Sequence, residues 1–341
     1  MSNEPAQAPR PVLSSIRGLV AAAMAVTILG GIAGSLLGFA GDSHWTLDLF
    51  SHFRLQYLIG ASLLFVLALL LRQWRNAGLA GAGLLLNALL IWPLYQGPTA
   101  APANQGETLK ILYANVLTHN QRYGELVQLV QQEQPDIIAL LEFSEAWQEA
   151  VSMDLQAWPH REIRPRDDNF GIAVFSRFPL ENSTWPVLTP TGSATLLSSL
   201  HWNGRKVPFI FAHPYPPIHR YASNTARAQV AELCLREELQ HEAALLIGDL
   251  NATPWSHTYR QLQGTPLHDA RHGFGILPTW PAGLPAFLRI PIDAVLVGPR
   301  WQVQELRVGP DIGSDHLPLI AELSLAQNSP SNESKATQAP R

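Results

Sequence analysis

The sequence predicts an α/β domain that follows a membrane region of three transmembrane helices. Charge is sparse at the beginning of the chain: residues 1–104 hold five basic and three acidic residues, whereas residues 105–341 hold 18 basic and 24 acidic ones. Beyond that boundary, apolar runs of strand length mix with segments of helical periodicity, without strict alternation. The 341 residues therefore divide near residue 100 into two regions of different character.

Three runs without charged side chains define the membrane region, which we assign to residues 1–96. They are Gly18–Gly41, Leu55–Leu71 and Ala77–Tyr95. The first is long enough to cross about 30 Å of hydrocarbon. The second is near the lower limit of about 17 residues, and its flanking Arg54 and Arg72 must reach toward the interface. Core helices of a large soluble domain are the alternative, which the scarcity of charge disfavours.

The arginines of the membrane region orient it. Arg10 and Arg17 precede the first run, and Arg72 and Arg75 lie between the second and third, whereas Arg54 alone lies between the first and second. Basic residues of short loops tend to stay in the cytoplasm. We therefore predict a cytoplasmic N-terminus and an extracytoplasmic α/β domain. Reading the first run as a cleaved signal peptide leaves that location unchanged.

Two polar segments border the predicted domain, which covers residues 108–325. Residues 97–107 (GPTAAPANQGE) are rich in Pro, Ala and Gly, which predicts a flexible linker. Residues 326–341 are polar and lack apolar periodicity, which predicts a disordered tail.

The elements of the domain follow from apolar runs, helical spacing and turn residues. Three-to-four spacing predicts helices over Gln121–Gln134 and His219–Leu239. Asn203-Gly204 predicts the turn of a hairpin. Apolar runs predict strands over Thr108–Val116, Asp136–Glu142, Phe170–Ser176, Thr195–Trp202, Val207–His213, Ala243–Asp249, Ile290–Val297, Val303–Val308 and Leu317–Leu325.

Composition excludes several classes of protein. The net charge of −4 excludes a strongly basic nucleic-acid coat protein. The single cysteine, Cys234, excludes an intramolecular disulfide framework and a cysteine-based zinc site. The uncharged cores of the three spans disfavour a transporter or channel, because charged residues usually mark ion paths.

Polar side chains end four of the predicted strands, at Asn115, Glu142, His213 and Asp249. A lone polar residue at a strand end is usually a turn former or a cap. Four of them, each closing an apolar run, favour convergence on one site. Glu142 offers an oxygen ligand of the kind that Mg²⁺ prefers.

Two short motifs carry further candidate residues. In GDLNATP, Asp249 and Asn251 stand at alternating positions, as an acid that can hold water beside an amide that can bind a phosphate oxygen; an Asx turn is an equally good interpretation. In GSDHLP, Asp315 and His316 offer a carboxylate and an imidazole. Asp293 lies within an apolar strand and needs a partner, for which a histidine is the natural choice.

Seven motifs occur in order between residues 113 and 318: YANV, ALLEF, FGIAVFSR, AHP, GDLNATP, PIDAVLV and GSDHLP. With this set the chain resembles the endonuclease/exonuclease/phosphatase superfamily, and the spans ahead of the domain resemble its bacterial membrane-anchored members. The resemblance implies a four-layer α/β/β/α sandwich like that of type-I deoxyribonucleases. With the bacterial membrane anchoring that the resemblance implies, the orientation predicted from the arginines makes the chain a multi-pass protein of the inner membrane with a periplasmic catalytic domain.

The resemblance further implies a metal site. Glu142 would be the principal Mg²⁺ ligand, Asn115 would lie beside it, and Asp315 would assist the metal or the water; Mn²⁺ is the alternative ion. Some relatives have an aspartate where this chain has Leu117, so the ligand set here depends on Glu142 and water.

The remaining roles implied by the resemblance concern water and phosphate. Asp249 would orient or deprotonate the attacking water. Asn251 and His213 would contact the phosphate and its transition state. His316 would contact the phosphoryl group, and Asp293 would hold His316 in its tautomer.

The predicted function is that of a membrane-anchored, Mg²⁺-dependent phosphoesterase, which hydrolyses a phosphodiester or phosphomonoester by metal-assisted in-line attack of water. Its partners are a phosphoester substrate and the lipid bilayer, and no feature specifies an oligomeric state. One alternative is an endonuclease or exonuclease, which the net charge of −6 over residues 105–341 does not favour. Another is a non-catalytic binding module, which the complete acid, amide and imidazole set disfavours. Ala294 stands where relatives often carry a polar side chain, so one substrate contact is absent.

Overall fold

The structure of the chain is a computed structural model that describes residues 11–97, 108–189 and 192–326. Residues 98–107 of the predicted linker and residues 327–341 of the predicted tail lie outside the described residues. Arg10, which contributes to the predicted orientation, also lies outside them.

Helices form the described part of the N-terminal region: α1 (Pro11–Leu37), α2 (Trp45–Leu49), α3 (Arg54–Leu70) and α4 (Trp74–Ile91). Short 3₁₀ turns cover Gly38–Ala40, Phe50–Phe53 and Trp92–Tyr95. Three stretches are long and apolar enough to cross a membrane, namely Ile16–Ala40, Trp45–Leu70 and Trp74–Tyr95. The prediction of three such helices is confirmed.

Buried amides join the apolar helices. Asn87 Nδ2 of α4 donates to Ser35 Oγ of α1 at 2.9 Å, and Asn76 Nδ2 donates to the carbonyl of Ala21 at 2.9 Å. Since a turn of three residues joins α3 to α4, these helices run in opposite directions. The end of α1, the beginning of α3 and the end of α4 therefore lie on one side of the bundle. The α/β domain contacts that side, where Trp255 Nε1 donates to the carbonyl of Leu90 at 2.9 Å.

The α/β domain contains two six-stranded sheets. The first has the order β11-β12-β1-β2-β4-β3, with β1 Thr108–Asn115, β2 Ile137–Leu141, β3 His160–Arg164, β4 Ile172–Ser176, β11 Trp301–Val308 and β12 Leu319–Leu325. The second has the order β5-β6-β7-β8-β10-β9, with β5 Leu180–Thr184, β6 Thr195–Trp202, β7 Arg205–Ala212, β8 Leu245–Asp249, β9 His268–Asp269 and β10 Asp293–Val297. The domain's helices are α5 Tyr123–Glu133, α6 Glu145–Val151, α7 Arg220–Cys234 and α8 His257–Arg260.

Alternating apolar side chains build the layers. On β1, Ile111 faces the second sheet in a core shared with Phe209 of β7, whereas Leu112 faces a core with Leu126 of α5. Leu246 of β8 packs in a third core with residues of α7. Because successive strand residues point to opposite faces, each sheet is covered on both sides. The predicted four-layer α/β/β/α sandwich is confirmed.

The sequence patterns missed several short elements. Strands β3 and β5 consist of half-buried and exposed residues, so they lack the continuous apolar runs of the central strands. The helix predicted over His219–Leu239 ends at Cys234, and a 3₁₀ turn over Glu237–Gln240 follows it. The hairpin turn is present, with positive φ at both Asn203 and Gly204.

Strand direction brings polar residues to one edge of the sandwich. β1 pairs in parallel with β2, and β7 pairs in parallel with β8, so the carboxyl ends within each pair lie together. β10 is antiparallel to β8, and its first residue, Asp293, pairs with the last residue of β8, Asp249. Ends of separate strands therefore meet at one place, where the candidate site lies.

Candidate active site

Asp249 lies at the centre of the site and is buried at the end of β8. Its Oδ2 lies 3.6 Å from His213 Nε2, 3.6 Å from His316 Nε2 and 3.5 Å from Asn115 Nδ2. Its Oδ1 accepts a hydrogen bond of 2.8 Å from the backbone amide of Asn251. The Asx turn and the convergent site therefore coexist. Oδ1 of Asp249 fixes the turn, and Oδ2 faces the imidazoles of His213 and His316 and the amide of Asn115.

Two glycines of the motifs permit this placement. A Cβ on Gly248, whose φ is 154°, would lie 1.9 Å from the carbonyl oxygen of Ala212 on the neighbouring strand β7. A Cβ on Gly171 would lie 2.0 Å from the carbonyl oxygen of Phe143, the residue after Glu142. Only glycine allows the backbones to approach this closely. These two glycines therefore hold the chain that carries Asp249 and Glu142.

A buried carboxylate orients His316. Asp293 Oδ2 accepts a hydrogen bond of 2.9 Å from His316 Nδ1 and another from Thr279 Oγ1, and Asp293 Oδ1 accepts one of 2.6 Å from the hydroxyl of Tyr113. With Nδ1 engaged in this way, Nε2 of His316 faces Asp249. The contact between Asp293 and His316 that the resemblance implied is present.

The buried carboxylates favour charged imidazoles. Burial by itself would lower the pKa of His316, but Asp293 and Asp249 outweigh it and raise the pKa from 6.5 to about 10. Burial likewise opposes charge on His213, whose pKa is raised because it contacts Asp249 and lies near Glu142. Burial would raise the pKa of Asp293, yet the charge of His316 and the hydroxyl donors hold it below its usual value. The site therefore presents cationic donors beside carboxylates.

Glu142 and Asn115 form the second part of the site. Asn115 Nδ2 donates to Glu142 Oε1 at 2.9 Å, and the backbone amide of Thr118 lies 3.4 Å from Glu142 Oε2. Glu142 has a φ of 56°, which is uncommon for a residue with a side chain. Asn115 is fully buried, and its Oδ1 accepts from the amide of Leu117. Leu117 itself supplies no side-chain ligand.

The residues present fit a divalent cation. Asp249, Asp293 and His316 each place one donor atom within 4.8 Å of the others, a cluster that could hold a metal ion. Within the described part of the chain, Asp315 Oδ1 is buried without a hydrogen-bond partner. Together with Glu142 these groups form an oxygen-rich set of the kind that Mg²⁺ or Mn²⁺ takes.

All eight residues that the sequence singled out lie at this edge of the sandwich. Contacts join Asn115, Glu142, His213, Asp249, Asp293 and His316 directly. Asn251 and Asp315 line the same cleft, where Asn251 Nδ2 donates to the carbonyl of Pro214 at 3.0 Å and Asp315 Oδ2 accepts from Trp280 Nε1 at 3.1 Å. The roles of these residues remain predictions.

Sequence reasoning missed three residues that support the site. Tyr113 stands two positions before Asn115 in the YANV motif, so strand periodicity places both on one face, and this signal was available. Thr279 and Trp280 lie in an irregular segment between β9 and β10, which carries no periodic pattern. Their contacts with Asp293 and Asp315 are visible only in three dimensions.

The site opens into a cleft of about 690 Å³. One part is polar and contains Glu142, His213, Asp249, Asp315 and His316. The rest is mostly aromatic or aliphatic and includes residues of α2 and of the 3₁₀ turn Phe50–Phe53. The N-terminal region therefore forms part of the wall.

A model of the endonuclease/exonuclease/phosphatase family matches residues 112–316, which is more than half of the chain. Among curated proteins, none matches the sequence significantly. Many solved structures have a similar fold, and three of them are compared with this chain.

D. rerio TDP2 in complex with a single-strand DNA product is 17% identical, with a TM-score of 0.54, over 64% of this chain and 99% of that one. An endonuclease/exonuclease/phosphatase family protein of Bacteroides thetaiotaomicron is 20% identical, with a TM-score of 0.53, over 66% of this chain and 100% of that one. The human Nocturnin catalytic domain with bound sulfate is 18% identical, with a TM-score of 0.51, over 66% of this chain and 97% of that one. At these identities the likeness extends to the fold alone.

Proposed function

This chain belongs to the endonuclease/exonuclease/phosphatase family, and from that membership and the geometry of the cleft we propose that it is a membrane-anchored, Mg²⁺-dependent phosphoesterase. Because members of the family are metal-dependent hydrolases of phosphoester bonds, the chain is an enzyme of that class. The proposal adds the anchoring, the ion and the reaction: in-line attack of water on a phosphodiester or phosphomonoester.

One observation carries the proposal. Asp249 Oδ2 lies 3.6 Å from Nε2 of His213 and 3.6 Å from Nε2 of His316. A carboxylate oxygen in this position can accept a proton from water, while the two imidazoles, which the buried carboxylates keep cationic, can donate to phosphoryl oxygens. Acid–base and electrostatic groups thus surround one point of the cleft.

The polar residues of the cleft would have separate roles in the hydrolysis. Asp249 would orient the attacking water and take its proton. His213, Asn251 and His316 would bind the phosphoryl oxygens, on which negative charge increases in the transition state. Asp293 would act as a positioning residue that holds His316 through its Nδ1.

Glu142, Asn115 and Asp315 would hold the cation. A divalent ion bound by oxygen ligands supplies charge that polarises the phosphate and stabilises the leaving oxygen. Mg²⁺ is the proposed ion, because oxygen ligands suit it, and Mn²⁺ is the alternative.

We also propose the organisation and location of the chain. Residues 1–96 form the membrane region, residues 97–107 the linker, residues 108–325 the catalytic domain and residues 326–341 a disordered tail. The protein would be a multi-pass protein of a bacterial inner membrane with the catalytic domain in the periplasm, as the arginine distribution indicates.

Nucleic acid is a second candidate substrate. The D. rerio TDP2 structure contains a single-strand DNA product, and its fold is shared with this chain. Against this stands the net negative charge of residues 105–341, since phosphate-backbone binding usually depends on basic side chains.

The test uses the full chain in detergent with ethyl p-nitrophenyl phosphate as substrate and Mg²⁺ present. We expect p-nitrophenol release, its abolition by EDTA and its restoration by Mg²⁺. Asp249→Asn should lower kcat by about 10²-fold or more, because it removes the group that takes the proton. Asp154→Asn, the same change at an exposed aspartate outside the cleft, is the control.

Two results would contradict the proposal. One is turnover that is indifferent to chelation. The other is an Asp249→Asn protein that is folded and retains the wild-type rate. Hydrolysis of single-stranded DNA at a higher kcat/KM than any small phosphoester would instead favour the nuclease.

A further inference from the structure

The cleft has two chemically different parts. The polar part surrounds Asp249 and His316. The apolar part is contributed by α2 and the following turn, through Trp45, Leu49 and Phe53, and by Ile290 and Ile292 just before β10. A small hydrophilic phosphoester would fill the polar part and leave the apolar wall in contact with water, which is unfavourable.

The position of the apolar wall relates it to the bilayer. Trp45, Leu49 and Phe53 lie in the segment that connects α1 to α3, and α3 begins at the next residue, Arg54. Both helices belong to stretches that are long and apolar enough to cross a membrane. The apolar wall of the cleft therefore lies at the ends of the helices that would enter the bilayer.

Specific contacts fix this connecting segment to the catalytic domain. His52 Nδ1 and Thr253 Oγ1 form a hydrogen bond of 3.0 Å, two residues beyond Asn251 in the chain. Asp48 Oδ1 accepts from the backbone amide of His257 at 2.6 Å, and Asp48 Oδ2 pairs with Arg227 Nη2 at 3.4 Å. The segment is thus a built part of the cleft wall.

Apolar side chains are also exposed on the cleft-lining segments and on the segment that connects Trp280 to Ile290. Phe53 is 43% exposed, and Ile218, on the loop after His213, is 73% exposed. Leu284 and Phe287 are exposed on the segment between Trp280 and Ile290. That segment is held against α3, because Gln56 Nε2 donates to the carbonyls of Phe287 and Arg289 at 3.1 Å each. Exposed apolar groups beside a membrane helix are typical of a membrane contact.

We propose that the substrate is a phosphate ester that carries a long apolar chain and remains anchored in the bilayer while it reacts. This inference rests on the proposed function and names its substrate class. The phosphoryl group lies in the polar part of the cleft, beside Asp249 and His316, and the apolar chain of the substrate runs along Trp45, Leu49 and Phe53 toward the membrane. Hydrolysis forms a bond from the water oxygen to phosphorus as the bond to the leaving oxygen breaks, and the leaving oxygen takes up a water proton, so no other reactant is needed.

The test compares two substrates with the same scissile bond, ethyl and hexadecyl p-nitrophenyl phosphate, the second in phosphatidylcholine vesicles. Both are assayed with full-length protein reconstituted in vesicles with Mg²⁺, and both yield p-nitrophenol. Contact of the wall with even two methylenes would raise kcat/KM by about tenfold, so we expect at least that preference for the hexadecyl ester.

A matched pair of variants separates binding in the cleft from simple partition into the bilayer. Phe53→Ser removes an aromatic ring from the cleft, and Phe50→Ser makes the same change in the same 3₁₀ turn, at a residue that does not line the cleft. We expect Phe53→Ser to lower the ratio of the hexadecyl-ester kcat/KM to the ethyl-ester kcat/KM by about fivefold or more. Phe50→Ser should keep the preference.

The outcomes distinguish the inference from the proposed function. Ethyl-ester hydrolysis without a chain preference, or a preference that Phe53→Ser and Phe50→Ser reduce equally, overturns the inference and leaves the phosphoesterase intact. No Mg²⁺-dependent hydrolysis of either diester, and none of the monoester p-nitrophenyl phosphate, overturns both. Vesicles of phosphatidylglycerol and vesicles containing a polyprenyl phosphate then identify the lipid that supplies the apolar chain. Hydrolysis of phosphatidylglycerol yields glycerol phosphate or phosphatidate, whereas hydrolysis of the polyprenyl phosphate yields inorganic phosphate.

Discussion

Replacement of Asp293 by asparagine tests whether a fixed, charged His316 is needed for turnover. In the structure Asp293 is fully buried and accepts from His316, Thr279 and Tyr113. Asparagine has nearly the same shape, and its carbonyl can still accept from His316 and Thr279. Its amino group then faces the hydroxyl of Tyr113, which can turn to accept. The variant therefore loses the negative charge while its neighbours keep partners.

The magnitudes follow from that difference. Because the buried hydroxyl hydrogen of Tyr113 then loses its acceptor, Asp293→Asn should cost about 1–3 kcal/mol of unfolding free energy. Its kcat should fall by about 10²-fold or more, because the imidazole loses the carboxylate that keeps it charged and aligned. The KM should change little, since Asp293 does not line the cleft.

The assay is the initial rate of ethyl p-nitrophenyl phosphate hydrolysis at saturating Mg²⁺, together with thermal unfolding of each variant. Tyr113→Phe is the comparison, because it removes one neutral donor from the same carboxylate and leaves the charge in place. We expect it to lower kcat by less than about tenfold, in keeping with the loss of one hydrogen bond of about 1 kcal/mol. A folded Asp293→Asn protein with wild-type kcat, or equal losses in the two variants, would refute the role assigned to Asp293.

Two further predictions concern the membrane region. Asp48→Ala should lower the unfolding free energy by about 3 kcal/mol, because it leaves the half-buried Arg227 without its carboxylate and the amide of His257 without its acceptor. Asp42→Ala, at an exposed site, should change the unfolding free energy by less than about 0.5 kcal/mol. Denaturant titration in detergent measures both, and equal effects would contradict the role of Asp48 in fixing the connecting segment to the catalytic domain. A phosphatase reporter that needs the periplasm should be active when fused after Ala326 and inactive when fused at Gln73, and the reverse pattern would overturn the orientation.

Local patterns in the sequence were sufficient for the elements with strong signals. The uncharged runs indicated the three hydrophobic helices, and continuous apolar runs indicated β1, β2 and β8, because strands buried on both faces need apolar residues at nearly every position. The edge strands β3 and β5 gave no such signal, since half of their residues face solvent. The polar ends Asn115 and Asp249 were recognisable because each interrupts an apolar run.

The sequence by itself determined the chemistry available to this protein: apolar helices for a membrane, oxygen donors for a hard cation, and imidazoles for phosphate. These follow from residue types and short spacings, which need no knowledge of distant contacts. Only the tertiary structure decided that His52, 201 residues before Thr253, lies beside the active cleft, and that Phe53 forms its wall. The physical reason is that contacts between remote segments depend on how the layers and helices pack, and no local pattern encodes that packing.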